Sequence, residues 1–598
     1  MRIIIIIFFL FVSQILNGQE VLSSLISNPF LNVKKQILVK NKNSLLLPFF
    51  DDFSYNSSVV NIDLWENSSV FVNRSYPINP VSIGVATFDG LDKYGFARNF
   101  SQAYPSAPSD TLLSRKIDLS AIDTAYFMFY FQGKGIGDTP EFDDFLVLEF
   151  LNDYLIWEEV WFSKGQTMQE FKKVIQIIDQ PKFLHSAFQF RFRNYATISG
   201  NFDHWHVDYI KVDEFLNPND TLILNDVTFV YSAPSFLNRY EQMPWSHFKN
   251  NELSEMNDTA AIFIRNNGAG INVDYQYNIY ENNNVIAHYP TLGLSRNESI
   301  FNYDSIIGNF EYKSPPISIN SSVFTSQFPD SISFNIEHII GTGLDDKKCN
   351  DTLSYIQEFN SSFAYDDGIA ESAYGINIVG AKLAYQFKLN RPDTLRAVQM
   401  YFPQMLSSVS NIPFNLTIWE NINGYPGDTL YSQSVFPVHT ENGEFHTYYL
   451  DHPFKLVGVF YVGWQQTTND LLNIGLDKNK FSNQYMFYNI GSGWTNSSYP
   501  GSWMIRPIVN MDKVILGNVE IKMDDFKIYP NPANHELNII LSTIDNLISI
   551  YNFQGALLKQ IFVSDRISKL NISDLSSGIY FIDVKNHKGR AFQKFIVK

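Results

Sequence analysis

Two short runs gather side chains that could bind a ligand or hold an ion. In Asp203-His204-Trp205-His206-Val207-Asp208, the two-residue period of a strand puts His204, His206 and Asp208 on one face. Trp205 and Val207 take the other. With Trp205 turned into a core, the imidazoles and the carboxylate face outward and could line a ligand site on an open sheet. In the second run, Asn442-Gly443 is the dipeptide favoured in a tight hairpin turn. Counting outward from it puts His439, Glu441, Glu444 and His446 on one side of the ribbon, a donor set suited to a divalent ion. For both runs the plain alternative is a solvated polar face. The pairs Asp51-Asp52, Asp143-Asp144 and Asp366-Asp367-Gly368 are hard-oxygen donors that could equally end strands or shape turns.

Nucleophilic and metalloenzyme chemistry finds little support. Cys349 is the only cysteine, which excludes intramolecular disulfides and Cys-rich zinc sites. Its polar surroundings, Asp345 to Asp351, read as those of a tolerated thiol. The chain has no His-Glu-x-x-His, no Gly-x-Ser-x-Gly and no phosphate-binding Gly-x-x-x-x-Gly-Lys loop. Glycan hydrolysis by two carboxylates needs no linear motif, so a hydrolase stays an alternative. The net charge of −17 repels phosphate backbones, and no basic stripe offsets it, so nucleic acid is not an expected partner.

The elements that must position these residues are strands. Aromatic residues make up 16% of the 598 and charged residues only 18%, which favours folded, β-rich domains over disorder. Period-2 runs recur, among them Ala125 to Phe131, Phe145 to Phe150, Ser186 to Phe192, Asp274 to Tyr280 and Leu395 to Phe402. No helical period of useful length appears, so the fold class is all-β, built as tandem β-sandwiches. Met1-Arg2 followed by ten apolar residues, Ile3 to Val12, reads as a signal peptide over 1–18, cut before Gln19. Ten residues are too few to span a bilayer, and no later run reaches eighteen, so no transmembrane segment is expected.

Motif order adds resemblances. Asp144, Trp157, Phe188, Phe190, Phe192, Trp205 and Asp208 fall in an order that resembles a MAM-type or concanavalin-like jelly roll over 48–215, after a polar lead of 19–47. That resemblance implies a concave sheet able to bind sugars, and acidic pairs able to hold a structural Ca²⁺. Residues 216–360 alternate in the manner of an immunoglobulin-like sandwich, and 361–510 read as a second jelly-roll-like sandwich. A linker of 511–523 leads to the last segment.

Residues 524–598 carry Tyr529-Pro530-Asn531-Pro532-Ala533, then Gly555, then Gly578-Ile579-Tyr580, and close on Lys594-Phe595-Ile596-Val597. This ordered set resembles the type A C-terminal sorting domain of the type IX secretion system. The resemblance implies a small β-sandwich read by an outer-membrane export machine, and a protein secreted or displayed on the surface of a Gram-negative bacterium. It also implies removal of the domain, often in exchange for a surface glycolipid anchor.

An Asp-[Ser/Thr]-apolar tripeptide recurs at Thr111, Thr124, Thr221, Thr259, Ser305, Ser331, Thr352, Thr394 and Thr429. It resembles the O-glycosylation acceptor of bacteria with this secretion system, while turn chemistry alone accounts for its spacing equally well. Together these features describe a surface-displayed, non-enzymatic adhesion or binding protein for a glycan or protein ligand. The alternatives are a secreted hydrolase and a structural surface-layer or motility component.

Overall fold

The computed structural model describes residues 20–31, 43–99, 105–166, 170–217, 224–257, 261–290, 296–300, 311–313, 331–343, 346–405, 409–440, 443–509, 526–541, 546–552, 557–563, 567–586 and 589–598. They form two compact units, Met1–Asn510 and Met511–Lys598. Both are built of sheets that are antiparallel apart from the short parallel pairing of Met243–Pro244 with Phe359–Asn360. The α-helices among the described residues, Trp245–Phe248 and Glu252–Glu255, last one turn each.

In the first third of the large unit, two sheets enclose an aromatic core. The five-stranded sheet runs Trp65–Ser68, Ser106–Ser114, Phe190–Thr197, Phe145–Leu151 and Trp157–Lys164 in spatial order. The six-stranded sheet centres on Ala125–Gly133 and Trp205–Glu214. Alternation sends Phe127, Phe129 and Phe131 inward against Phe150, Phe190, Phe192 and Trp205. Edge-to-face contacts at 4.6–4.9 Å, Phe127 on Phe190 and Phe129 on Phe192, fix the packing.

The other face of the six-stranded sheet is not open. Tyr126 and Met128 pack there with Val81, Val85, Phe171, Tyr209 and Leu224 into a second apolar layer. A sheet buried on both sides cannot present a strand face to solvent, and this decides the fate of the first histidine run.

Residues 227–360 supply a three-stranded and a six-stranded sheet, and residues 372–509 three more sheets. These two stretches share one continuous core from Val227 to Val509. Tyr240 bridges them, 5.1 Å from Phe363 and 4.8 Å from Tyr365. The polar lead is not idle, since Val21–Ser23 adds an antiparallel strand to Ser372–Ile376. Glu20 beside it accepts hydrogen bonds from the Tyr374 hydroxyl (2.6 Å) and from Ser497 and Ser498.

The small unit holds a three-stranded sheet (Lys527–Tyr529, Glu536–Ile540, Ile567–Asn571) and a four-stranded one. The latter orders Leu557–Val563, Asn546–Asn552, Gly578–Asn586 and Gly589–Val597. Leu537, Ile539, Ile550, Ile582, Val584 and Phe595 form its core.

Candidate functional site

His204, His206 and Asp208 do share the side of the strand away from Val207, but that side is buried. Each is no more than 1% exposed. The Tyr76 ring stacks on His204 at 4.9 Å, and the Gly133–Gly137 loop closes over both imidazoles. A Cβ on Gly137 would lie 2.4 Å from the His204 ring, so only glycine lets this loop approach. His206 Nδ1 lies 2.8 Å from Thr87 Oγ1, and Asp208 accepts from the Ser82 amide and hydroxyl at 3.0 Å. Burial holds both histidines neutral, with pKa values of about 3. The outward, ligand-lining position expected for these three residues is therefore corrected: they belong to a closed polar layer.

The second run is corrected too. Tyr425–Val435 and His446–Leu456 belong to different sheets, the latter pairing with Asp393–Met400. Gly443 takes the left-handed φ of a turn residue (69°), yet no hairpin ladder aligns His439 with His446. His439 Nδ1 lies 3.0 Å from the Phe402 carbonyl, and His446 packs edge-on against Tyr448 at 4.6 Å. Glu444 is exposed, and Glu441 lies outside the described residues. These residues make no metal-ligand cluster among the described residues.

One acidic cluster does form, from partners distant in sequence. Carboxylate oxygens of Glu141, Asp144 and Asp203 lie within 4.8 Å of one another. Asp144 Oδ2 accepts from the Glu141 amide (2.7 Å), and Asp203 Oδ2 from the Thr197 amide (2.6 Å). Burial, then the neighbouring carboxyl groups, push Asp203 up to about 8 and Asp144 up to about 7. At neutral pH this trio shares protons, and a hard cation could replace them. Of the expected acidic pairs only Asp144 takes part. Asp51 binds the Trp65 indole N–H at 2.6 Å, and Asp366 pairs with Arg506. Cys349 is a surface residue whose thiol is pushed up to about 11, by desolvation and then by the Asp52 charge, so it stays protonated.

A half-buried polar and aromatic row lies on the outer face of the five-stranded sheet. There Glu149 accepts from two arginines: Arg193 through Nε at 2.8 Å and Nη2 at 2.6 Å, and Arg191 through Nε. Those bonds keep Glu149 ionised, below the usual carboxylate range despite its burial. The Arg191 guanidinium covers the Trp157 ring at 4.3 Å. Farther along the same face, Phe145 and Tyr195 stack at 5.2 Å. Period 2 explains the row, since Glu149, Arg191 and Arg193 alternate with the buried Leu148, Phe190 and Phe192.

Beyond Trp157, the turn joining the two strands exposes Tyr154 (78%), Leu155 (73%) and Ile156 (59%). Leu155 adopts a left-handed φ of 61°, held by Asn152, whose Oδ1 accepts from the Tyr154 and Ile156 amides. Sequence reasoning missed this row, although Trp157 and the Phe-x-Phe strand were in view. The signal was the pair of arginines interleaved with the phenylalanines, opposite a single Glu149.

In the small unit the sorting motif closes on itself. The Ala533 amide donates to the Ile596 carbonyl (2.8 Å), and the Lys598 amide donates to the Ala533 carbonyl (2.9 Å). Asn531 Oδ1 accepts from the Ile596 amide at 2.9 Å. Ala533, Tyr580, Phe595 and Val597 are buried, while Tyr529, Pro530, Asn531, Pro532, Ile579, Lys594 and Ile596 face outward. Gly555 lies outside the described residues. Among the tripeptide hydroxyls, Ser331, Thr352 and Thr429 are exposed, and Thr111, Thr124 and Thr394 are half-buried. Thr221, Thr259 and Ser305 lie outside the described residues.

Fold and motif geometry together define an all-β protein with a separate terminal address unit. Residues 527–598 match the family model of the secretion system C-terminal sorting domain. The chain thus ends in a type IX sorting domain, and the protein is secreted or displayed on the surface of a Gram-negative bacterium. No curated protein matches the chain. Among solved structures it is similar to PorZ, described as an essential surface component of the type IX secretion system of Porphyromonas gingivalis, at 11% identity and a TM-score of 0.12. That match covers 57% of this chain and 50% of PorZ, so the chain spans half the length of that protein. The tandem CBM22 domain of Paenibacillus barcinonensis Xyn10C matches at 6% identity and a TM-score of 0.12, covering 71% of this chain and 89% of that one. The BSP domain of a biofilm-associated protein matches at 8% and 0.12, covering 84% and 96%. Superpositions this loose transfer no site and no mechanism.

Proposed function

We propose that the protein is a non-enzymatic binding or adhesion protein, displayed outside the outer membrane and engaging a glycan or protein ligand. The observation that carries this reading is the half-buried row of Trp157, Arg191 and Arg193 around the buried Glu149, continued by the Phe145–Tyr195 stack. Rings offer flat apolar area at low entropic cost, and the interlocked arginines hold N–H donors in fixed directions. The exposed Tyr154–Ile156 turn extends that surface. Such a row binds without turning over, because its one carboxylate is held ionised by two guanidinium groups and has no partner acid.

The export machinery is the partner that the sorting domain implies. In this reading the domain is then removed, and the protein is either released or joined to a surface glycolipid. Exposed Ser331, Thr352 and Thr429 are the glycosylation acceptors that an exported, disulfide-free chain would use first.

A glycan and extracellular-matrix array probed with the secreted protein tests the reading. Binding by the wild type, weakened about tenfold in Trp157→Ala, which corresponds to about 1.4 kcal/mol, supports it. Turnover of a polysaccharide or peptide, abolished by Asp144→Asn or Asp203→Asn, would replace it with the hydrolase reading.

A further inference from the structure

Where the first sandwich meets residues 226–351, Asp52, Asp208, Asp226 and Asp351 are all buried, with Asp346 close to Asp226 and Asp351. Lys348 pairs with Asp346 at 3.4 Å and with Asp351 at 3.3 Å. Among the described residues no cation pairs with Asp52, Asp208 or Asp226. Ser82 donates to both oxygens of Asp208, and Ser54 to Oδ1 of Asp52. Asp52 Oδ2 and the Asp226 carboxylate converge instead on Asn350. Its Nδ2 lies 3.0 Å from Asp52 Oδ2 and 3.3 Å from each oxygen of Asp226.

Asn350 is 0% exposed, yet its Oδ1 has no hydrogen-bond partner. The two ends of an amide share one outline, so turning this one over puts Oδ1 where Nδ2 stands. Three carboxylate oxygens then face an amide oxygen, an arrangement that a cation among them satisfies. A separate feature points the same way. A cleft of about 270 Å³ is lined by Asp226, Asp346, Thr342 and Asn266. It gives an ion a way in and room for the waters that complete its shell. Asp52, Asp226 and Asp346 do not all come within 4.8 Å of one another, as Glu141, Asp144 and Asp203 do. Asn350 stands between two of them. Burial, then Asp346 and Asp52, holds the Asp226 carboxyl well above its usual range, so a bare charge is poorly tolerated there.

We propose that Asp52, Asp226 and the turned Asn350 amide bind a calcium ion, with Asp346 at the mouth of the cleft. The donors are oxygens, and calcium's adaptable shell accepts two carboxylates, an amide and waters, where magnesium demands a stricter octahedron. The ion ties the first sandwich to a residue some three hundred positions farther along a chain that has no disulfide. It is a staple between sandwiches, separate from the row proposed to bind the ligand.

Terbium luminescence and thermal melts of the secreted protein test this, in an Asp203→Asn background that removes the other acidic cluster. Tyr209, whose hydroxyl bonds to Asp226, is the antenna. Terbium emission excited through tyrosine is expected to saturate, to be displaced by millimolar calcium and to fall in Tyr209→Phe. Asp226→Asn should weaken calcium binding about tenfold or more and abolish the calcium-dependent rise in melting temperature, with the calcium-free melt kept. No saturable emission, or emission and melts indifferent to Asp226→Asn, would overturn the proposal. Should Asp226→Asn melt lower even without calcium, Asn350→Asp decides. It keeps an oxygen for the ion but sets a third carboxylate beside two others. Its calcium-free melt should therefore drop, and calcium should restore it. An Asn350→Asp protein that calcium does not stabilise contradicts the proposal, because the amide then serves only as a donor to its neighbours.

Discussion

Trp205 lies fully buried among aromatic rings, and its neighbours show what one residue's environment can and cannot say. Its inward direction was readable, because an indole beside valine on a period-2 strand belongs in a core. Trp205→Ala should cost about 3–5 kcal/mol, read as a lowered denaturation midpoint. The burial of His204 and His206 was not readable, since Tyr76 and Gly137, which cover them, lie some seventy to a hundred and thirty positions away.

Titration makes these environments measurable, and the signs oppose. Asp203 and Asp144 have folded-state pKa values raised to about 8 and about 7, so the folded chain keeps protons that the unfolded chain releases. Their contribution is present below about pH 4 and is lost as pH rises through 7 and 8. His204 and His206, lowered to about 3, contribute stability above about pH 6.5 that is lost as pH falls toward 3. The melting temperature is therefore expected to fall between about pH 6 and about pH 8.5, and less steeply in Asp203→Asn. An unchanged slope in that variant would contradict the shared-proton account. Millimolar calcium, taking the protons' place, should raise the melting temperature more at the higher pH, and an equal rise in Asp203→Asn would count against a bound ion.

At the scale of elements, alternation was the most legible feature. Phe127, Phe129 and Phe131, and Phe190 and Phe192, lie on the core sides their spacing predicts. Pairing was less legible. Asn442-Gly443 looks like a hairpin turn, but the strands around it pack in different sheets, because Asp393–Met400 pairs with both ends of His446–Leu456 across a bulge at Leu395–Ala397. The lead strand Val21–Ser23 was hidden for a similar reason. Three residues give no period, and its partner is some three hundred and fifty positions away. Glu20→Ala should cost about 1–3 kcal/mol, since it leaves the buried Tyr374 hydroxyl without its acceptor. Thermal melts of the variant and the wild type would show it, and identical melts would mean that the lead contributes nothing.

At the scale of the whole molecule, composition predicted an all-β chain and the terminal motif its destination. The motif was legible because its residues have roles that admit few substitutes. Ala533 sits against the last strand with no exposed surface, and Asn531 bonds to that strand's backbone. The row proposed to bind the ligand was not legible, because Glu149, Arg191 and Arg193 meet only when two strands pair in one register.

The central claim is that the large unit binds through that row. Titration calorimetry of the strongest array ligand, against wild type, Trp157→Ala, Arg193→Ala and Tyr449→Ser, tests it most directly. Tyr449 is 65% exposed in a different sheet and serves as control. The account predicts affinity about tenfold weaker for Trp157→Ala and Arg193→Ala, at melting temperatures within a few degrees of wild type, and no change for Tyr449→Ser. Full affinity in both face variants would contradict it.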